Sequence, residues 1–104
     1  MAAVTRILFA PVSGPRGVGE YMRSLYVAAE VKRRLPESDI RFIVSSAAPY
    51  AREVPYPVFI TPGSPTRHVK EVNEIVSGFR PDIMVFDPGG AYRKECSDRH
   101  AWLG

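Results

Sequence analysis

Four short, nearly continuous apolar runs, at residues 4–10, 40–46, 58–61 and 82–87, alternate with two helix-like patterns, and this alternation constrains the fold more than any other feature. A strand with one wet face alternates apolar with polar side chains. Runs that are apolar on both sides instead suit a parallel sheet buried between helices. The chain therefore reads as α/β: a three-layer sandwich, with a parallel sheet of about four strands and helices on both faces. Right-handed crossovers in the usual doubly wound arrangement give the strand order 3-2-1-4. A length of 104 residues leaves room for one domain, at residues 1–90. Residues 91–104 are too polar for a fifth buried strand and read as a tail or helix, so the sheet looks unfinished at strand four, whose apolar edge calls for cover.

The first helix is expected over residues 19–35, where Pro36 stops it. Met22, Leu25 and Ala29, then Ala28, Val31 and Leu35, recur at helical spacing and form its expected inner stripe. Pro49, Pro55 and Pro57 make the connection after strand two irregular. The second helix is expected over residues 66–79, capped by Ser64 or Thr66, with Val69, Val72, Ile75, Val76 and Phe79 as its buried stripe and Arg80-Pro81 as its stop.

Between the first run and the first helix lies Ser13-Gly14-Pro15-Arg16-Gly17-Val18-Gly19-Glu20-Tyr21. A glycine-rich turn from strand to helix aims bare backbone N–H groups and the positive end of the helix dipole at a phosphate-sized space. Gly14, Gly17, Gly19 and Arg23 are therefore candidate phosphate-binding residues. Gly89 and Gly90 join them, because the turn after strand four reaches the same carboxyl edge of the sheet. Two common phosphate loops do not fit. In GxxxxGK[ST], Glu20 stands where lysine should reach the terminal phosphates and Tyr21 where a hydroxyl should hold magnesium. In GxGxxG begun at Gly17, Met22 replaces the third glycine, and Ser45 and Ser46 stand where an acid should bind ribose. The alternative is that the glycines only make a sharp turn.

The net charge of +3 comes from Lys and Arg scattered along the chain, which suits a solvated surface rather than a nucleic-acid interface. Cys96 is the single cysteine, so no intrachain disulfide or thiol pair for zinc is expected, and a reducing cytoplasm is implied. No stretch has the length of a membrane-crossing helix or the layout of a secretory leader, leaving at most peripheral membrane contact. His68 and His100 lack a Ser or Cys motif beside them, and no ligand cluster calls for a metal or another cofactor.

The strand Ile7-Leu8-Phe9-Ala10, the turn Gly17-Val18-Gly19, the helix opening Tyr21-Met22-Arg23-Ser24-Leu25 and the strand Pro81-Asp82-Ile83-Met84-Val85-Phe86-Asp87 together resemble the N-terminal half of two-domain GT-B glycosyltransferases. The likeness is to the family 28 group, which includes the peptidoglycan N-acetylglucosaminyl transferase and the UDP-sugar hydrolase of pseudaminic acid synthesis. It covers roughly residues 4–91 and implies a Rossmann-like domain that supplies the acceptor side of a nucleotide-sugar transfer site. In those relatives the loop often reads Gly-x-Gly-His, with a histidine that serves as base or touches the sugar. This chain has Glu20 there, so the resemblance makes Glu20 a candidate base, and the alternative is a first-turn acid favoured by the helix dipole. Asp87 would orient an acceptor hydroxyl or cap the following turn, and Arg23 would attract a diphosphate or remain a surface charge.

In that family the nucleotide is held mainly by a second domain. The resemblance therefore implies an incomplete or split glycosyltransferase, inactive alone, which takes a nucleotide-sugar donor with a partner chain carrying the C-terminal domain. Pairing of two copies through the strand-four edge is the other expected assembly. The competing function is a non-catalytic α/β module that binds a phosphorylated small molecule or a protein partner.

Overall fold

Residues Arg6–Pro11 form β1, an inner strand of the sheet, buried from Ile7 onward because both of its faces are covered by helical or loop layers. The computed structural model describes residues 4–12 and 18–87. After β1 come helix α1 (Gly19–Arg34), β2 (Asp39–Ser45), β3 (Val58–Thr61), a 3-10 turn (Pro65–Arg67), helix α2 (Val69–Phe79) and β4 (Ile83–Asp87). The four strands make one sheet in the order β3-β2-β1-β4, every pair parallel, as the alternation predicts. Ile7 lies between Ile40 and Ile83, and Phe9 between Phe42 and Val85.

Side chains of successive strand residues point to opposite faces, so each strand feeds two cores. Ile7, Phe9, Ile40, Phe42, Val44 and Val85 meet Tyr21, Leu25, Ala28 and Val31 of α1 and the connection after β2. Leu8, Ala10, Ile43, Phe59, Met84 and Phe86 meet the α2 stripe Val69, Val72, Ile75, Val76 and Phe79, as the spacing predicts. Phe42 anchors the first core: its ring stacks on Phe9 at 5.2 Å and on Tyr56 at 5.6 Å, and meets Tyr21 edge-on at 6.2 Å.

The inner stripe of α1 differs from the expectation. Met22, Ala29 and Leu35 are exposed, and the buried residues are Tyr21, Ser24 and Ala28. The cause is that α1 carries apolar residues around much of its circumference, so spacing alone does not set its rotation. The large ring of Tyr21 wins because it finds aromatic partners in Phe42 and Tyr50. Val18, Met22 and Tyr26 are left as an outward apolar row at i, i+4 and i+8, with Tyr26 82 % exposed.

The second helix also starts later than its pattern suggests. Pro65–Arg67 winds as a 3-10 turn before α2 begins at Val69. Neither Ser64 nor Thr66 caps α2; their hydroxyls pair with each other at 2.8 Å, and His68 at the cap position makes no side-chain capping bond. At the far end Arg80 takes a left-handed conformation, φ 55° and ψ 61°, with its N–H on Val76 O. Pro81 disfavours a right-handed helical residue before it, so α2 must stop there. Strand boundaries shift by a residue or two: Val4 is outside β1 and half exposed, and β2 takes in Asp39. The only strand neighbour of β4 among the described residues is β1, and Ile83 on β4 is 50 % exposed. The expected tail at 91–104 lies outside the described residues.

Candidate functional site

In the order 3-2-1-4 the chain leaves β1 toward β2 on one side and reaches β4 on the other. The strand order therefore reverses between β1 and β4. Connections on either side of such a reversal diverge and leave room beyond the carboxyl ends of the strands, which is where open α/β sheets receive ligands. Three candidate residues from the sequence converge on that point.

Asp87 ends β4, and its backbone oxygen accepts from Val12 N at 2.8 Å, so the ends of β4 and β1 are tied together. Helix α1 begins above them. Arg23, one turn in, donates through Nε to Asp87 Oδ2 at 2.9 Å and through Nη2 to Asp87 Oδ1 at 3.0 Å. Glu20 Oε2 lies 3.6 Å from Arg23 Nη2, the i, i+3 spacing bringing the two side chains together. The carboxylates are largely withdrawn from solvent, with side-chain exposures of 18 % for Glu20 and 24 % for Asp87, while Arg23 is 61 % exposed. Hydrogen bonding to Asp87 first, then its charge, pushes the Arg23 guanidinium upward, so it stays charged under all ordinary conditions.

One guanidinium faces two carboxylates, leaving the cluster with a formal charge of −1. That changes the reading of Arg23. As a free cation it would attract a diphosphate; held in a two-point fork by Asp87, it directs its Nε and one Nη2 proton to a carboxylate, and two carboxylates offset its single charge. What the cluster offers a ligand is carboxylate oxygens that accept hydrogen bonds, suited to hydroxyl and ammonium groups more than to phosphate.

Gly19 is the first residue of α1, and among the described residues a Cβ built on it meets nothing within 4 Å. Gly14, Gly17, Gly89 and Gly90 lie outside the described residues. Ser45 and Ser46 serve the turn after β2: Ser45 Oγ accepts from Ala47 N, and Ser46 Oγ donates to Pro62 O. His68 sits in the other helix layer at the start of α2, its Nδ1 3.6 Å from Glu71 Oε2. Among the described residues no group of three or more His, Cys, Asp and Glu is placed to hold a metal ion. No helix among them is long and apolar enough to cross a membrane.

A second polar group, at the amino end of the sheet, has a structural purpose. Arg41 lies over the Phe79 ring at 4.6 Å and pairs with Asp39, while Arg6 Nη1 donates to Phe79 O at 3.2 Å and so satisfies a carbonyl at the end of α2. Ser24 is the residue the sequence reading left without a role. It falls between Tyr21 and Ala28 on the buried face of α1, a position recognisable only once the helix rotation is known. The chain matches no protein-family model, no curated protein and no solved structure.

Proposed function

We propose that this chain is the acceptor-side domain of a nucleotide-sugar transfer enzyme of the GT-B type, binding a hydroxyl-rich acceptor at the β1–β4 switch point and completed by a partner that holds the nucleotide. The observation that carries the reading is the bidentate hold of Asp87 on Arg23, with Glu20 alongside. A site for donor phosphates needs uncommitted cations. A site for an acceptor needs oxygens that orient a hydroxyl and take its proton. Asp87, fixed by Arg23 and by the backbone tie to Val12, is the orienting group, and Glu20 is the proton acceptor.

Two measurements test this. Titration of the 15N-labelled chain with methyl hexopyranosides is expected to shift the amides of residues 19–24 and Asp87, while UDP and inorganic phosphate leave them in place. The reverse result would favour the module for phosphorylated ligands. The purified chain alone is expected to transfer no sugar from nucleotide-sugar donors, because positioning two reactants supplies about 7–11 kcal/mol of barrier reduction and half a cleft cannot do so. Turnover without a partner would overturn the split-enzyme reading.

The reading as a non-catalytic partner-binding module draws on the exposed row Val18, Met22 and Tyr26. If that row is the working surface, Tyr26→Ser abolishes partner capture while glycosides move no amide at residues 19–24.

A further inference from the structure

Ser24 is 2 % exposed, and among the described residues its Oγ is the buried side-chain oxygen that has no hydrogen-bond partner. A hydroxyl in that state has given up its bonds to water and gained none in return. Serine within a helix ordinarily relieves this by donating to the carbonyl four residues back, here Glu20, and that bond is not made. Alanine would be the better helix former at the same place and would bury no polar atom. Folding alone therefore favours another residue at position 24.

The place of Ser24 on the helix shows which groups lie nearest to it. In an α-helix the Cα–Cβ bond tilts toward the N-terminus, so Ser24 lies over the turn that contains Glu20 and Tyr21. Glu20 is its i−4 neighbour on the same flank, and Arg23 beside it reaches across to Asp87. The Cα–Cβ bond of Ser24 thus tilts along the inner flank of α1 toward the first helical turn, from which Arg23 reaches the carboxyl end of β4.

We propose that Ser24 is a ligand-binding residue of the switch point, its unpaired hydroxyl satisfied by a hydroxyl group of the bound saccharide. This rests on the acceptor-site reading above and deepens it. Glu20 and Asp87 accept from ligand hydroxyls, and Ser24 adds a group from below that can both give and take a hydrogen bond. A buried polar group left unpaired by the wrong ligand discriminates strongly, so Ser24 selects for a saccharide carrying a hydroxyl at one particular ring position over its deoxy analogue.

The experiment compares wild type with Ser24→Ala in the full chain, reading the thermal midpoint without ligand and the affinity for methyl α-glucopyranoside, methyl α-galactopyranoside, UDP and inorganic phosphate by amide shifts. The expected result is paired and opposite: Ser24→Ala melts several degrees higher than wild type and binds the glycoside roughly tenfold more weakly, as loss of one hydrogen bond implies. If wild type binds a glycoside and Ser24→Ala binds it equally, or melts lower, the hydroxyl is structural and the proposal is overturned while the acceptor-site reading stands. If UDP or phosphate binds instead and Ser24→Ala weakens it, the saccharide class is wrong and the role of Ser24 holds. If none of the probes moves the amides of residues 19–24, both are overturned.

Discussion

Tyr21 and Tyr50 lie ring on ring, 3.9 Å between centroids and 1° between planes, and this contact fixes which way α1 faces. It ties the first turn of the helix to the connection after β2, and in doing so turns Ser24 inward and Arg23 toward Asp87. A double-mutant cycle with leucine at both positions is expected to give a coupling of about 0.5–1.5 kcal/mol, the range for stacked aromatic pairs. Additive losses would mean that each ring packs independently.

The same tyrosine makes stability depend on alkaline pH. Burial, then the Glu53 and Tyr50 charges, raises the Tyr21 phenol above its ordinary value of 10.0. Above that value the unfolded chain releases the proton while the folded chain keeps it, so the folded state binds more protons and stability falls as pH rises. The contribution is complete below about pH 10 and is lost as pH climbs through the folded value. Urea midpoints between pH 9 and 11 are expected to decline more steeply in wild type than in Tyr21→Phe.

Phe42 and Met22 separate the real core from the one that periodicity suggests. Phe42→Ala removes a ring that touches Phe9, Tyr21 and Tyr56, and is expected to cost about 3–5 kcal/mol. Met22→Ala, at an exposed position, is expected to stay within about 0.5 kcal/mol of wild type. Denaturant unfolding distinguishes the two, and a large loss at Met22 would restore the stripe read from spacing.

Gly19→Ala adds a methyl at the start of α1. Among the described residues the methyl meets no atom within 4 Å, and alanine lowers the entropy of the unfolded chain, so stability is expected to rise by about 0.4–1 kcal/mol. Loss of glycoside binding in this more stable variant would put the ligand directly over Gly19.

Asp87→Asn reduces the negative charge of the cluster and loosens its hold on Arg23. Affinity for inorganic phosphate at the amides of residues 19–24 is then expected to rise severalfold, and glycoside affinity to fall. Unchanged phosphate affinity would show that the Arg23 fork is not what keeps anions away.

Much of this fold is legible in the sequence because its signals are local. Continuous apolar runs such as Ile7-Leu8-Phe9-Ala10 report burial on both faces of a strand, and the single narrow stripe on α2, from Val69 to Phe79, leaves one way to set it down. With the handedness of crossovers, those signals determine a parallel sheet in the order 3-2-1-4 and bring Glu20, Arg23 and Asp87 to one edge. Tertiary structure decided the rest. Apolar residues on several sides of α1 allow more than one rotation, and only the aromatic contacts of Tyr21 with Phe42 and Tyr50 choose between them. The pairing of Arg23 with Asp87 spans 64 positions of chain and sets the guanidinium against a carboxylate. Neither partner's local sequence announces the other, because the contact exists only after β4 has been laid beside β1 and α1 folded over both.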